Sequence, residues 1–198
     1  MILVGHHAPD FRFNYVTGLN EFKKNQSFQD YRRSQPCLIF FYPLDFTFVC
    51  PSELIALDKA MSEFNSRGIK VLAVSIDSEF AHCAWKKIPI EQGGIGQISF
   101  DMAADVSHQI CQMYGVEHPD AKIALRAAIL IDAKGMVKAQ LVHDLPIGRN
   151  IDEVIRIFDA IEHVSKHGEV CPANWSKGQK AMVPTADGVQ TYLKYHMA

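Results

Sequence analysis

The stretch FYPLDFTFVCPSE, residues 41–53, decides how this chain of 198 residues is read. It overlaps an apolar run, CLIFFY (37–42), whose β-branched and aromatic residues are those of a buried strand. From Pro51 the period changes. Leu54, Leu57, Met61 and Phe64 recur at steps of three and four, so one face of a helix is apolar, and Gly68 supplies its stop. Cys50 thus stands where a strand-like run gives way to a helix start. Unpaired N–H groups and a partial positive charge at a helix N-terminus favour an anion, and a proline fits the first turn because its missing N–H had no partner to lose. A thiol so placed is favoured as the thiolate, its nucleophilic form. Thr47 offers a hydroxyl to anything bound at that sulfur, while Pro43 turns the chain out of the strand and adds an apolar wall. The same residues also suit a cysteine that only packs at an element boundary.

Outward from this stretch, KVLAVSI (70–76) reads as a second buried strand, followed by a helix around 78–86 and a glycine-rich loop, EQGGIGQ (91–97). Residues 105–114 read as a helix. AAILID (127–132) and MVKAQLV (136–142) form a β-hairpin turning at Asp132 to Gly135. In 150–166, Ile151, Val154, Ile155, Phe158, Ile161 and Val164 share one face of a long amphipathic helix. This alternation predicts an α/β domain with a central mixed sheet flanked by helices. After Lys166 the texture changes to turn formers without a sustained period, ending in a short helix near 187–196. The division expected is a globular domain over 1–166 and a C-terminal arm over 167–198.

Apolar residues make up 48% of the chain and charged ones 21%, with a net charge of −2, which suits a soluble globular protein and offers no basic footprint for nucleic acid. No apolar run approaches the roughly 18 residues of a membrane-spanning helix. The apolar Met1–Val4 stretch is too short for a signal peptide, so the cytoplasm is the expected location. The five cysteines (Cys37, Cys50, Cys83, Cys111 and Cys171) are odd in number and widely spaced, with no C-x-x-C and no zinc-finger spacing. A disulfide framework is not expected; reactive thiols are.

Pro43, Thr47 and Cys50 form P-x-x-x-T-x-x-C, which resembles the active-site signature of the peroxiredoxins. VSIDSEFAHCAW (74–85), GGIG (93–96), ALRAAILID (124–132), DLPIGRNIDE (144–153) and HGEVCPANWSKGQKAM (167–182) each resemble a stretch of the typical two-cysteine members, a group that includes the bacterial alkyl hydroperoxide reductase C component. The resemblance implies a thioredoxin-like fold and reduction of hydrogen peroxide and organic hydroperoxides. By it, Cys50 is the peroxidatic nucleophile, Thr47 hydrogen-bonds peroxide and sulfur, Pro43 shields the centre from water, and Arg126 stabilises the thiolate and the polarised O–O bond. Glu53 and Arg149 match a pair that orients this arginine. Cys171 matches the resolving cysteine, which attacks the Cys50 sulfenic acid and closes an intersubunit disulfide. Thioredoxin or a dedicated alkyl hydroperoxide reductase flavoprotein then restores the thiols. The resemblance implies homodimers assembling into decamers, and no bound metal, haem or flavin. It also ties overoxidation to a GGLG loop and a C-terminal Tyr-Phe pair. This chain has GGIG and Tyr192–Leu193.

Two other functions suit the same fold. A thiol–disulfide oxidoreductase wants C-x-x-C, whereas Cys50 is followed by Pro51, Ser52 and Glu53. A holdase chaperone is compatible with peroxidase activity. Cys37, Cys83 and Cys111 read as packing residues, as do Trp85 and Trp175. His82 beside Cys83 does not make a metal pair, because helix neighbours point apart. His6 and His7 read as solvent-facing, and GGIG lacks the spacing of a phosphate loop.

Overall fold

The computed structural model describes residues 1–196; Met197 and Ala198, which end the expected arm, lie outside the described residues. Strands β1 (Arg12–Val16) and β2 (Phe22–Ser27) lead into helix α1 (Phe28–Arg32). Then come β3 (Cys37–Phe41), α2 (Cys50–Lys59), α3 (Met61–Ser66), β4 (Lys70–Ser75) and α4 (Glu79–Lys86). A single 3-10 turn at Ile90–Gln92 precedes β5 (Asp101–Ala104), α5 (Gln109–Met113), β6 (Arg126–Ile131) and β7 (Val137–His143). Helices α6 (Ile151–His167) and α7 (Ala186–His196) close the chain. One seven-stranded sheet runs in the order β2-β1-β5-β4-β3-β6-β7, parallel at β3–β4 and β4–β5 and antiparallel elsewhere. The expected mixed sheet flanked by helices, with a thioredoxin-like order, is what forms.

Burial explains the centre. Every residue of β3 and β6 is buried, as apolar runs without alternation require. Strand parity then sorts the two faces. Cys37, Ile39 and Phe41 join Ala127, Ile129 and Ile131 in one core with Phe11, Phe13 and Phe28. Leu38 and Phe40, paired with Leu130 and Ala128, point to the other face, which period-two alternation also gives to Arg126.

Three elements differ from the sequence reading. Residues 12–32 hold two strands and a helix that apolar patterning did not reveal, because β2 is an edge strand, FKKNQS, with most side chains exposed. The helix read from Pro51 through Phe64 is interrupted at Ala60 (φ −91°, ψ 1°), whose N–H reaches both Ala56 O and Leu57 O. Its apolar stripe survives: Leu54, Leu57 and Phe64 are fully buried. The helix read over 105–114 shrinks to α5, because Asp105 ends β5's extension and its carboxylate accepts from Ile110 N (3.0 Å) and Cys111 N (2.8 Å). In the GGIG loop a Cβ at Gly94 would meet Ile88 O at 2.1 Å, so close backbone contact, and no phosphate cradle, accounts for that glycine.

The chain divides into two compact units, Met1–Ile151 with the whole sheet, and the remainder from Asp152. Within the second, Val170 and Met182 form an antiparallel bridge with both hydrogen bonds at 2.9 Å. Trp175 is buried, donates from Nε1 to Gln179 O (3.1 Å) and lies 5.0 Å from the His163 ring. Most of α7 is exposed, including Leu193. No helix among the described residues is long and apolar enough to cross a membrane.

Candidate active site

The chain leaves β3 at Tyr42, whose N–H still bonds Val74 O (3.0 Å), and turns through buried Pro43 into a loop that re-enters at Cys50, the first residue of α2. A buried polar network pins that loop. Tyr42 Oη donates to Asp45 Oδ1 (2.7 Å), and His82 Nδ1 lies 2.8 Å from Asp45 Oδ2. Asp45 N donates to Asp77 Oδ2 (2.9 Å), which also takes the Ser75 hydroxyl (2.7 Å). His82 and Asp45 are therefore structural partners. Sequence reasoning missed this pair; the signal was an aspartate set inside an apolar run.

Cys50 is fully buried, and two donors reach its sulfur. Thr47 Oγ1 lies 2.9 Å from Sγ and 2.8 Å from Leu44 O. A hydroxyl has one proton, so Thr47 serves the two states differently. Against a thiol it gives its proton to Leu44 O and accepts from S–H; against a thiolate it donates to sulfur. Arg126 Nη1 stands 3.4 Å from Sγ, on the face that strand parity assigned to it, and its Nε is anchored on Leu145 O at 2.6 Å.

Glu53, one turn into α2, binds both arginines. Its Oε2 takes Arg126 Nη1 (2.7 Å) and Arg149 Nη2 (2.9 Å), while Oε1 takes Arg149 N (2.8 Å) and Nε (2.9 Å). Arg149 also donates to Ala127 O (2.8 Å) and lies 3.3 Å over the Phe40 ring. Burial alone would raise the Glu53 carboxyl; hydrogen bonds and charge from Arg149, aided by Arg126, outweigh it and hold Glu53 below the usual carboxylate range. Burial pulls the Arg149 guanidinium below its ordinary value, against the support of Glu53. Two guanidinium groups around one carboxylate leave a surplus positive charge, and Arg126 presents it to the sulfur. Such a site stabilises charge developing at or beside Sγ without having to reorganise.

The structure thus gathers Thr47, Cys50, Glu53, Arg126 and Arg149 into one hydrogen-bonded cluster. Pro43 is in the same loop without a bond to the sulfur, as an imide nitrogen must be. Cys171 lies in the second unit as a half-buried free thiol, its Sγ 3.8 Å from Ala160 O. Burial raises that thiol, partly offset by the nearby Arg156 charge. Cys37 and Cys111 are buried, and desolvation, joined at Cys111 by the Asp105 carboxylate, pushes each up to about 12.

Residues 4–140 match the model of the AhpC/TSA family, and residues 160–194 match the C-terminal domain of 1-Cys peroxiredoxin. The chain is 48% identical over 193 residues to an alkyl hydroperoxide reductase C of Helicobacter pylori, covering 98% of this chain and 97% of that one. It is 42% identical over 193 residues to Peroxiredoxin-2 of Mus musculus, with 98% and 96% covered. A crystal structure of reduced Plasmodium vivax 2-Cys peroxiredoxin superposes with a TM-score of 0.94 at 46% identity, over 98% of this chain and 100% of the other. With a helix-start cysteine held between a threonine and a buried arginine pair, the chain belongs to the AhpC/TSA family and is a peroxiredoxin.

Proposed function

We propose that this chain is a thiol peroxidase for hydrogen peroxide and organic hydroperoxides, with Cys50 as its nucleophile. The observation that carries the assignment is the convergence of Thr47 (2.9 Å) and Arg126 (3.4 Å) on one buried sulfur. The Cys50 thiolate attacks the terminal peroxide oxygen, an S–O bond forms as the O–O bond breaks, and the leaving oxygen departs as alcohol or water after taking a proton. Cys50 is left as a sulfenic acid. Arg126 and Thr47 face the separating oxygens with donors already aimed. Glu53 and Arg149 position Arg126, and Pro43 excludes water from the loop side.

Cys171 of a partner subunit then attacks the sulfenic sulfur, forming a disulfide and releasing water. In this reading residues 1–166 are the peroxidase body and 167–198 the arm that carries the resolving thiol to a neighbour. Support for pairing comes from the sheet edges. β2 is blunted by Lys23 and Lys24, whereas β7 is a seven-residue edge with Val142 exposed, the better strand to meet a second copy. Assembly of such dimers into decamers, reduction by thioredoxin or a flavoprotein disulfide reductase, and a cytoplasmic location complete the reading. Adding peroxide to the reduced protein tests it: two thiols per chain are consumed, and none rapidly in Cys50→Ser. Rapid consumption in that variant would remove Cys50 from its role.

A further inference from the structure

The connection between β5 and β6 carries a second cluster of chemically competent side chains. His108, Cys111 and Glu117 place an imidazole nitrogen, a thiol sulfur and a carboxylate oxygen within 4.8 Å of one another. We propose that these three residues bind a divalent cation of the zinc class, with a water molecule in the fourth position.

The donor set argues for that class. Nitrogen, sulfur and oxygen ligands together suit a borderline-soft, tetrahedral ion and not calcium or magnesium, which take oxygen. With bonds of 2.0–2.3 Å, ligand atoms in a tetrahedral zinc site stand about 3.3–3.8 Å apart, so atoms now within 4.8 Å of one another close by up to about an ångström while the His108–Glu117 pair, at 3.0 Å, opens slightly. Two of the side chains are free to do so. The His108 side chain is 28% exposed and that of Glu117 13%, while Cys111 is fixed on α5. His108 Nδ1 already lies 3.0 Å from Glu117 Oε1, the distance an intervening ion would take over.

The surroundings are those of supported ligands. Asp105 accepts the Cys111 N–H at 2.8 Å and so sets the thiol's position. Gln112 Nε2 donates to Glu117 Oε1 (3.2 Å) and Lys122 Nζ reaches Oε2 (3.4 Å), orienting the carboxylate. The backbone of Glu117 is held by a bridge to Ala124. His108 adopts a left-handed conformation (φ 62°), a cost that a histidine committed to a specific direction would justify. On binding, the Cys111 thiol releases its proton to solvent and the proton that His108 Nδ1 gives to Glu117 is replaced by one on Nε2, so one proton leaves per ion.

Cobalt(II) titration of the reduced full chain, in a Cys50→Ser/Cys171→Ser background, tests this without interference from the peroxidase thiols. One ion per chain is expected, with a thiolate-to-cobalt charge-transfer band that zinc then bleaches. Cys111→Ala removes the band. His108→Gln and Glu117→Gln, both near the surface and compatible with folding, weaken binding about tenfold or more. A missing charge-transfer band, a band that persists in Cys111→Ala, or unchanged affinity in both surface variants would each overturn the site.

Discussion

The two cysteines proposed to react, Cys50 and Cys171, live in opposite surroundings. Cys50 is fully buried, with Thr47 and Arg126 on its sulfur and a Glu53–Arg149 pair behind them. Cys171 is half-buried, with a long contact to a carbonyl at 3.8 Å and the charges of Arg156 and Glu169 nearby. The first is over-determined and the second lightly held. That contrast fits a division of labour. A nucleophile gains from donors fixed before the reaction, whereas a thiol that must travel to a partner gains from having little to break.

The largest effect expected is at Cys50. Cys50→Ser abolishes reductant-coupled peroxide consumption, while Cys37→Ser and Cys83→Ser retain it; activity remaining in the Cys50 variant would erase the contrast. Arg126→Met, which removes a charged donor from the sulfur, should slow the reaction with peroxide by about 10²–10³-fold.

Cys171→Ser should leave the first reaction with peroxide at wild-type rate and stop turnover with thioredoxin. Mild oxidation of the wild type gives a non-reducing gel band near twice the 22.2 kDa chain mass, absent from this variant. A disulfide within one chain would instead mean that the arm serves its own subunit.

A smaller effect separates the sites by acid. Glu53 titrates below its ordinary value of 4.5, so the stability it contributes is fully present above that value and is lost as pH falls through the lowered one. Glu53→Gln should therefore be less stable than wild type at neutral pH, with the gap narrowing in acid. Urea midpoints measured across that range check the sign; a constant gap would refute the linkage.

The smallest effect belongs to α7. Leu193 is 49% exposed, so Leu193→Phe adds little packing within its chain. Sulfinic acid at Cys50 under turnover, followed by mass spectrometry, should rise by no more than a few-fold, about 1 kcal/mol of added burial. A much larger rise would show that this helix is covered in the working assembly.

The sequence was most readable where chemistry and structure share one short run. Pro43, Thr47 and Cys50 fall within eight positions, and the strand before them and the hairpin at Asp132–Gly135 are plain apolar runs with a turn between. Glu53 and Arg149, 96 positions apart, become partners only through the sheet and its connections; no spacing rule links them, and resemblance alone named them. β2 escaped notice because an edge strand needs no alternating apolar face, and β1, an inner strand, because its five residues offer only a short apolar signal in Phe13, Tyr15 and Val16. The break at Ala60 was hidden because burial of Leu57 and Phe64 keeps the helical period across it.

The single proton of Thr47 has a further consequence for timing. When Cys50 is a thiol, that proton satisfies Leu44 O and the loop and helix start are both content. When Cys50 ionises, the proton swings to sulfur and the Leu44 carbonyl loses its partner, a loss of about 1 kcal/mol, the usual net worth of one hydrogen bond. With Cys50 charged, the loop into α2 is thus slightly looser. In the proposed reaction, charging that sulfur and loosening the loop that holds it are the same event.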